Sequence, residues 1–237
     1  MDIQDFLQHA NELYLPQLSV DIVIVGYEEK ELKCLLLQIG DKWLLPGGFI
    51  GRDESVDQAA VKVLKERTGL ENSHLKFLSV FGDANRQFKD QWKPFAESIG
   101  LEWPADNWFD NRFVTLAYYA LVNIEKTHPQ VGNLDQAYHW FSFDTLPEMW
   151  LDHKKIVLEA RDRLKQDIKQ ESITYNLLPD QFTMPDLHQL HQVILQEELD
   201  RSRFQKKMLS LSAFERLPKI KKETPGRNPY LYRVKKG

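Results

Sequence analysis

Between Pro46 and Leu70 the chain reads PGGFIGRDESVDQAAVKVLKERTGL, a glycine pair followed by a helix-patterned run rich in charge. Gly48 is followed after five residues by Glu54, and seven residues further on come Lys62, Val63, Leu64, Glu66, Arg67, Gly69 and Leu70. This is the look of phosphate chemistry in an enzyme. Two positions disagree with that look. Val63 and Arg67 stand where such an enzyme would want carboxylates, leaving Glu66 as the one weak metal candidate.

A second set of reactive types is basic and C-terminal. Residues 201–237 hold twelve Lys and Arg against Glu215 and Glu223, a net charge of +10 in a chain whose total is −4. The preceding 200 residues are therefore net −14. A basic end on an acidic body points to a polyanionic partner, with a solvated tail as the plainer alternative. Arg201, Arg203, Lys206 and Lys207 fall in one segment and Lys221, Lys222 and Arg227 in another. Arg86 and Arg112 flank a Trp-rich stretch and could meet a phosphate or carboxylate, or form surface ion pairs. Trp103 and Trp108 in that stretch could stack on a base or sugar, or pack the loop. His188 and His191, at i and i+3, have no acid or Cys partner at metal spacing and read as surface or structural histidines.

The elements that must position these groups can be read from patterning. SVDIVIVGYE and ELKCLLLQIG are β-rich runs around a polar YEEKE, a strand pair. KWLLPGGFI reads as a third short strand ending at the glycine pair. ESVDQAAVKVLKERTGL places Val56, Ala59, Ala60, Val63 and Leu64 at helical spacing, with Ser55 and Gln58 as a capping box and Gly69 as the stop. LKFLSVFG and RFVTLAYYALV read as strands, and residues 87–111 between them as a long loop. HWFSFDTLPEM reads as a last strand and turn. Residues 153–168 form a charged amphipathic helix without Gly or Pro inside it, a stiff bridge to the C-terminal segment. Beyond it, FTMPDLHQLHQVIL is a helix capped by Thr183, and DRSRFQKKMLSL a second capped by Asp200, with Leu199 and Phe204 as a hydrophobic staple. The second helix has Phe204, Met208 and Leu211 on one side and Arg203, Lys206, Lys207 and Ser210 on the other. A basic hairpin closes the chain. Helix, short turn, basic helix and basic hairpin in that order are a winged helix-turn-helix.

Composition fits a globular protein: 42% hydrophobic and 28% charged. One cysteine, Cys34, excludes an intrachain disulfide, and its apolar neighbours make it a core residue. The N-terminal run is no signal peptide, no apolar run reaches membrane-spanning length, and a cytoplasmic setting without a membrane partner is the expectation.

The stretch from Gly48 to Leu70 resembles the Nudix box, with Lys62 in place of its arginine. Taken with the winged-helix half, the chain resembles the Nudix-related transcriptional regulators; LPGGF, DESVDQAA, FGDANR, RFVTLAYYALV, LDRSRFQKKMLSL and YLYRV carry the match. The resemblance implies an α+β architecture: a Nudix-type α/β/α sandwich with a mixed sheet over residues 1–152, a connecting helix over 153–171, and a winged helix-turn-helix over 172–237. Working Nudix enzymes hold a divalent metal with three carboxylates on the box helix; here those positions are Val63, Glu66 and Arg67. An arginine at the metal position repels the ion and could pair with Glu66. No cofactor is expected, and Mg²⁺ or Mn²⁺ would enter only if the chain were an active hydrolase with a basic appendage, the alternative reading. The regulators imply an ADP-ribose-like or sugar effector, for which Arg86, Arg112 and Trp108 are the candidates, a homodimer, and operator DNA.

Overall fold

The computed structural model describes residues 3–70, 74–105, 107–132, 135–170, 174–219 and 229–235. Helix α1 (Ile3–Leu13) leads into a long strand β1 (Tyr14–Glu28), paired antiparallel with β2 (Glu31–Ile39) through a two-residue turn. Glu29 and Lys30 both take left-handed φ (52° and 65°) in that turn, the backbone a tight hairpin requires. The expected third strand is split into β3 (Lys42–Leu44) and β4 (Gly47–Gly51) around Leu45-Pro46, so the glycine pair starts a strand rather than ending one. Pro46 has no N–H for a ladder, but its carbonyl accepts from Ile22 N–H (2.8 Å). Gly47 then passes directly over Asp21, where a Cβ would collide with a carboxylate oxygen.

Helix α2 (Val56–Thr68) has both halves of the capping box at Ser55 and Gln58, and Gly69 takes the left-handed cap (φ 72°). Strands β5 (His74–Phe81), β6 (Val114–Leu121) and β7 (Ala137–Ser142) complete the sheet, whose path is β3-β2-β1-β6-β5 with β4 on β1 and β7 on β2. β1 and β6 run parallel while the other pairs are antiparallel, so the sheet is mixed, as expected. β1 is buried on both faces: Val20, Ile22 and Ile24 pack under α2, Val23 and Val25 under the opposite layer.

That opposite layer is α4 (His153–Gln170), whose Ile156, Val157, Ala160, Leu164 and Ile168 are buried against the sheet. The helix expected as a bridge is thus a layer of the sandwich, and it also touches the next domain. The long loop is a correction too. It contains α3 (Lys89–Ser98) and a 3-10 turn at Trp108–Asp110. Phe88, Trp92 and Phe95, four and three residues apart, are the helical signal that Pro94 obscured; Trp92 and Phe95 pack on Trp150.

The C-terminal domain has β8 (Phe182–Thr183), α5 (Met184–Leu195), α6 (Arg201–Ser210), β9 (Phe214–Lys219) and β10 (Tyr230–Val234), in a three-stranded sheet β8-β10-β9. Thr183 and Asp200 cap the two helices as expected. Its core residues, among them Phe182, Leu187, Leu190, Ile194, Phe204 and Met208, belong to the same apolar cluster as Val23, Leu36 and Ile156 of the sandwich. The α/β/α sandwich and the winged helix therefore share one continuous core.

His188 and His191 lie in that core against the Phe204 ring, at 5.1 and 4.9 Å. Nε2 of His188 meets the Leu199 carbonyl (2.8 Å) and fixes the turn before α6. Burial first, then Lys207 and His188, push the His191 pKa down to about 4 from an ordinary 6.5. Below pH 6.5 the unfolded chain binds this proton and the folded one does not until about pH 4, so the contribution to stability is lost as pH falls. Going from pH 7 to pH 5 should cost about 2 kcal/mol through this group. Urea denaturation at both pH values is the measurement, and His191→Gln should flatten the fall.

Candidate nucleic-acid interface and Nudix box helix

On α2, Val63 is 2% exposed and faces β4, where a Cβ on Gly48 would come 2.8 Å from its methyl. Glu66 points to solvent. Arg67 does not make the pairing with Glu66 that their spacing allows. Its guanidinium reaches Asp135 (2.5 Å), whose carboxylate is 4% exposed and also accepts from Gly132 N–H (2.8 Å). Glu66, the nearer acid, turns outward, while Asp135 arrives on the segment between β6 and β7. Glu54 is engaged as well, accepting from Lys62 Nζ (2.5 Å) and Gly51 N–H (2.7 Å). Burial alone would raise its pKa; these two donors outweigh it and hold the carboxyl below its ordinary value.

Arg86 is neither a surface residue nor free to sweep a ligand. Its side chain is 1% exposed, with Nε on Asp152 (2.9 Å) and Nη2 on Asp21 (3.2 Å), while Nη1 has no partner among the described residues. His153 completes the cluster. Leu45 N–H donates to its Nδ1 (3.0 Å), which places the proton on Nε2, 3.8 Å from Asp21. Burial lowers the His153 pKa, and Arg86 adds to that against the opposing pull of Asp21 and Asp152. Arg112 sits one residue before Phe113, whose N–H donates to the Arg86 carbonyl, yet its own side chain is exposed. The two arginines are neighbours in backbone and separate in side chain.

Trp108 is also displaced from its expected role. It is 6% exposed, with its ring against Phe49 and Phe113 (both 4.8 Å) in a cluster that includes Tyr14 and Phe109. Stacking on a base would require dismantling that cluster. Trp103 donates from Nε1 to Asp110 (3.0 Å), a packing role.

In α6 the apolar side is buried at Phe204 and Met208, whereas Arg201, Arg203, Lys206 and Lys207 are exposed. Leu211, expected on the buried stripe, is the C-cap and is 44% exposed. Arg201 stands at the start of the helix, where it lines a groove between the domains. Lys221, Lys222 and Arg227 lie outside the described residues; the strands on either side of them, β9 and β10, form the expected antiparallel hairpin.

Residues 15–160, more than half of the chain, match the model of the NUDIX domain. The chain belongs to the NUDIX domain family. Residues 174–234 match the model described as the NrtR DNA-binding winged helix domain. The chain is 25% identical over 228 residues to the ADPR responsive transcriptional repressor NtrR of Acinetobacter baylyi, covering 92% of this chain and 82% of that one. It is 26% identical over 151 residues to an ADP-ribose pyrophosphatase of Methanocaldococcus jannaschii, 61% of this chain and 73% of the relative. The structure of Shewanella oneidensis NrtR complexed with a 27mer DNA aligns with a TM-score of 0.73 at 25% identity, over 92% of this chain and 94% of that one. A Nudix domain followed by a winged helix of the NrtR type is the architecture that the sequence resemblance implied.

The Nudix family implies a divalent metal on the box helix, and the residues here do not fit one. One position is an aliphatic side chain sealed under Gly48, another is a cation already bound to a buried acid, and Glu66 stands alone in solvent. Hard cations need several converging oxygens. Among the described residues no group of three or more His, Cys, Asp or Glu could hold a metal ion. By spacing alone, Val63→Glu with Arg67→Glu would rebuild a metal face. The structure changes that expectation, because the second substitution sets a carboxylate against buried Asp135. Arg67→Glu should cost about 3 kcal/mol in urea denaturation, and isothermal titration of the double variant with Mn²⁺ should show no tighter binding than wild type.

Proposed function

We propose that this protein is a DNA-binding transcriptional repressor whose Nudix domain binds ADP-ribose, or a closely related nucleotide sugar, without hydrolysing it. The observation that carries the DNA half is α6: one side buried in the domain core and the other presenting Arg203, Lys206 and Lys207 to solvent. A helix of this kind enters the major groove, where Arg reads guanine edges and Lys holds phosphate. The ligand half rests on the likeness to the Acinetobacter repressor and on the intact Nudix sandwich; the absence of turnover rests on Val63 and Arg67. No cofactor is needed for such a reading. Arg112, whose side chain is exposed, is better placed than the buried Arg86 to meet a ligand phosphate. No helix among the described residues is long and apolar enough to cross a membrane, and the reading places the protein in the cytoplasm. A homodimer would set two α6 helices about one DNA turn apart, roughly 34 Å, on a palindromic operator.

Fluorescence anisotropy with the DNA upstream of the protein's own reading frame tests both halves. ADP-ribose should change the affinity for that DNA. Arg203→Ala should weaken binding by roughly 1–3 kcal/mol and relax sequence preference. Changing Lys221 and Lys222 together to Ala should weaken binding to every sequence and flatten the salt dependence by about 0.9 per lost phosphate contact. Turnover of ADP-ribose with Mg²⁺ or Mn²⁺ at about 1 s⁻¹ or more would favour the hydrolase alternative instead.

A further inference from the structure

A groove of about 770 Å³ runs between the Nudix sandwich and the winged helix, away from the box helix. Its volume lies within the range of small-molecule sites, roughly 300–1,000 Å³. Its floor is apolar and buried: Leu177, Leu178, Phe182 and Met184. One wall is the β1–β2 turn from Tyr27 to Lys30, held in its left-handed backbone; the other is α5 and the first turns of α6, including Arg201, Phe204 and Gln205.

The rim has a definite sign. Five carboxylates line the groove (Glu28, Glu29, Glu125, Asp186, Glu198) against two basic side chains, Lys30 and Arg201. Asp186 is committed to the Thr183 cap, and Glu29 lies 3.9 Å from Lys33. Glu28, Glu125 and Glu198 make no ion pair among the described residues. They stand exposed around an apolar floor, so a phosphate or carboxylate ligand would meet repulsion and an ammonium group would meet partners. Tyr27 adds a neutral polar group: burial, then Asp186, pushes its phenol up to about 12, and its hydroxyl makes no hydrogen bond among the described residues.

We propose that this interdomain groove is a binding site for a small organic amine, its apolar body on Leu178, Phe182 and Met184 and its ammonium group among Glu28, Glu125 and Glu198. No residue of the box helix lines this groove. Because α6 forms part of its wall, an occupant touches the helix that carries Arg203, Lys206 and Lys207.

The test uses the full chain with no DNA and no nucleotide, so its failure leaves the repressor reading untouched. Two probes share a ring and differ in the sign of the charge at the end of the chain: 2-phenylethylamine and 3-phenylpropionate. Each is titrated to about 20 mM, since so small a probe binds in the millimolar range at ordinary ligand efficiency. Methyl NMR follows Met184 and Leu178. The expected result is a saturable shift with the amine and none with the acid. Glu28→Lys combined with Glu125→Lys, both exposed, one at the end of β1 and one in the 3-10 helix Ile124–Lys126, should weaken the amine about tenfold, as loss of charge-assisted contacts implies. Equal responses to both probes, no saturable response to the amine, or unchanged affinity in the double variant would each overturn the proposal.

Discussion

A cluster of four side chains, three of them buried, holds the arrangement of this protein. The Arg86 guanidinium is gripped by Asp21 from β1 and Asp152 at the head of α4, and His153 reaches from α4 to the backbone at Leu45. A buried ion cluster is poor evidence for net stability, because desolvation offsets most of its attraction. Its value is geometric. The central strand, the segment after β5, the turn before the glycine pair and the start of α4 can satisfy these charges in only one relative placement. Gly47 is part of the same constraint, since any side chain there would collide with Asp21. The neutral His153 fits this account: a second cation beside Arg86 would lose what the two aspartates provide, and burial already disfavours it.

The same logic explains what has become of the box helix. Two of the three positions that would serve a metal in a working Nudix enzyme have a structural occupation here, while Glu66 faces solvent. Val63 fills the space over Gly48, Arg67 anchors the segment carrying Gly132 and Asp135, and Glu54 ties Gly51 to Lys62. These replacements fit one another. Without a divalent ion to draw them together, three carboxylates on one helix face would repel; a methyl group and an arginine paired across to another segment remove that cost. The helix keeps its caps and its packing, and of the three positions only Glu66 is a carboxylate.

The parts of this structure that are legible in the sequence are those whose cause is local. Ser55 with Gln58, Gly69, Thr183 and Asp200 each act within one helical turn, so their spacing is the mechanism. The continuous apolar run of β1 and the split of α6 into apolar and basic sides are likewise short-range patterns tied to burial. The hidden parts depend on partners distant in sequence. Arg67 finds Asp135 sixty-eight residues away and Arg86 finds Asp21 sixty-five away, separations at which no local pattern distinguishes one acid from another. Trp108 has the same appearance in sequence whether it stacks on a ligand or on Phe49 and Phe113. Helix α3 is obscured for a different reason: Pro94 and the surrounding Trp and Phe residues read as a loop, and tertiary contact with Trp150 overrides the weak propensity.

The shared core gives the two domains a relation that a flexible linker could not. Leu177, Leu178 and Met184 belong to one apolar cluster with Val25, Leu36 and Ile168, and α5 packs directly on α4. A rotation of the winged helix would have to move buried side chains past close-packed neighbours, and such interfaces have discrete arrangements rather than a continuum. The head of α4 carries His153 and comes directly after Asp152, both members of the Arg86 cluster, while its body faces the helix that leads into α6. A ligand that changes how Arg86 shares its donors between Asp21 and Asp152 therefore acts on an element already in contact with the DNA-binding domain. The size of any such response is limited by the difference in ligand affinity between the two arrangements.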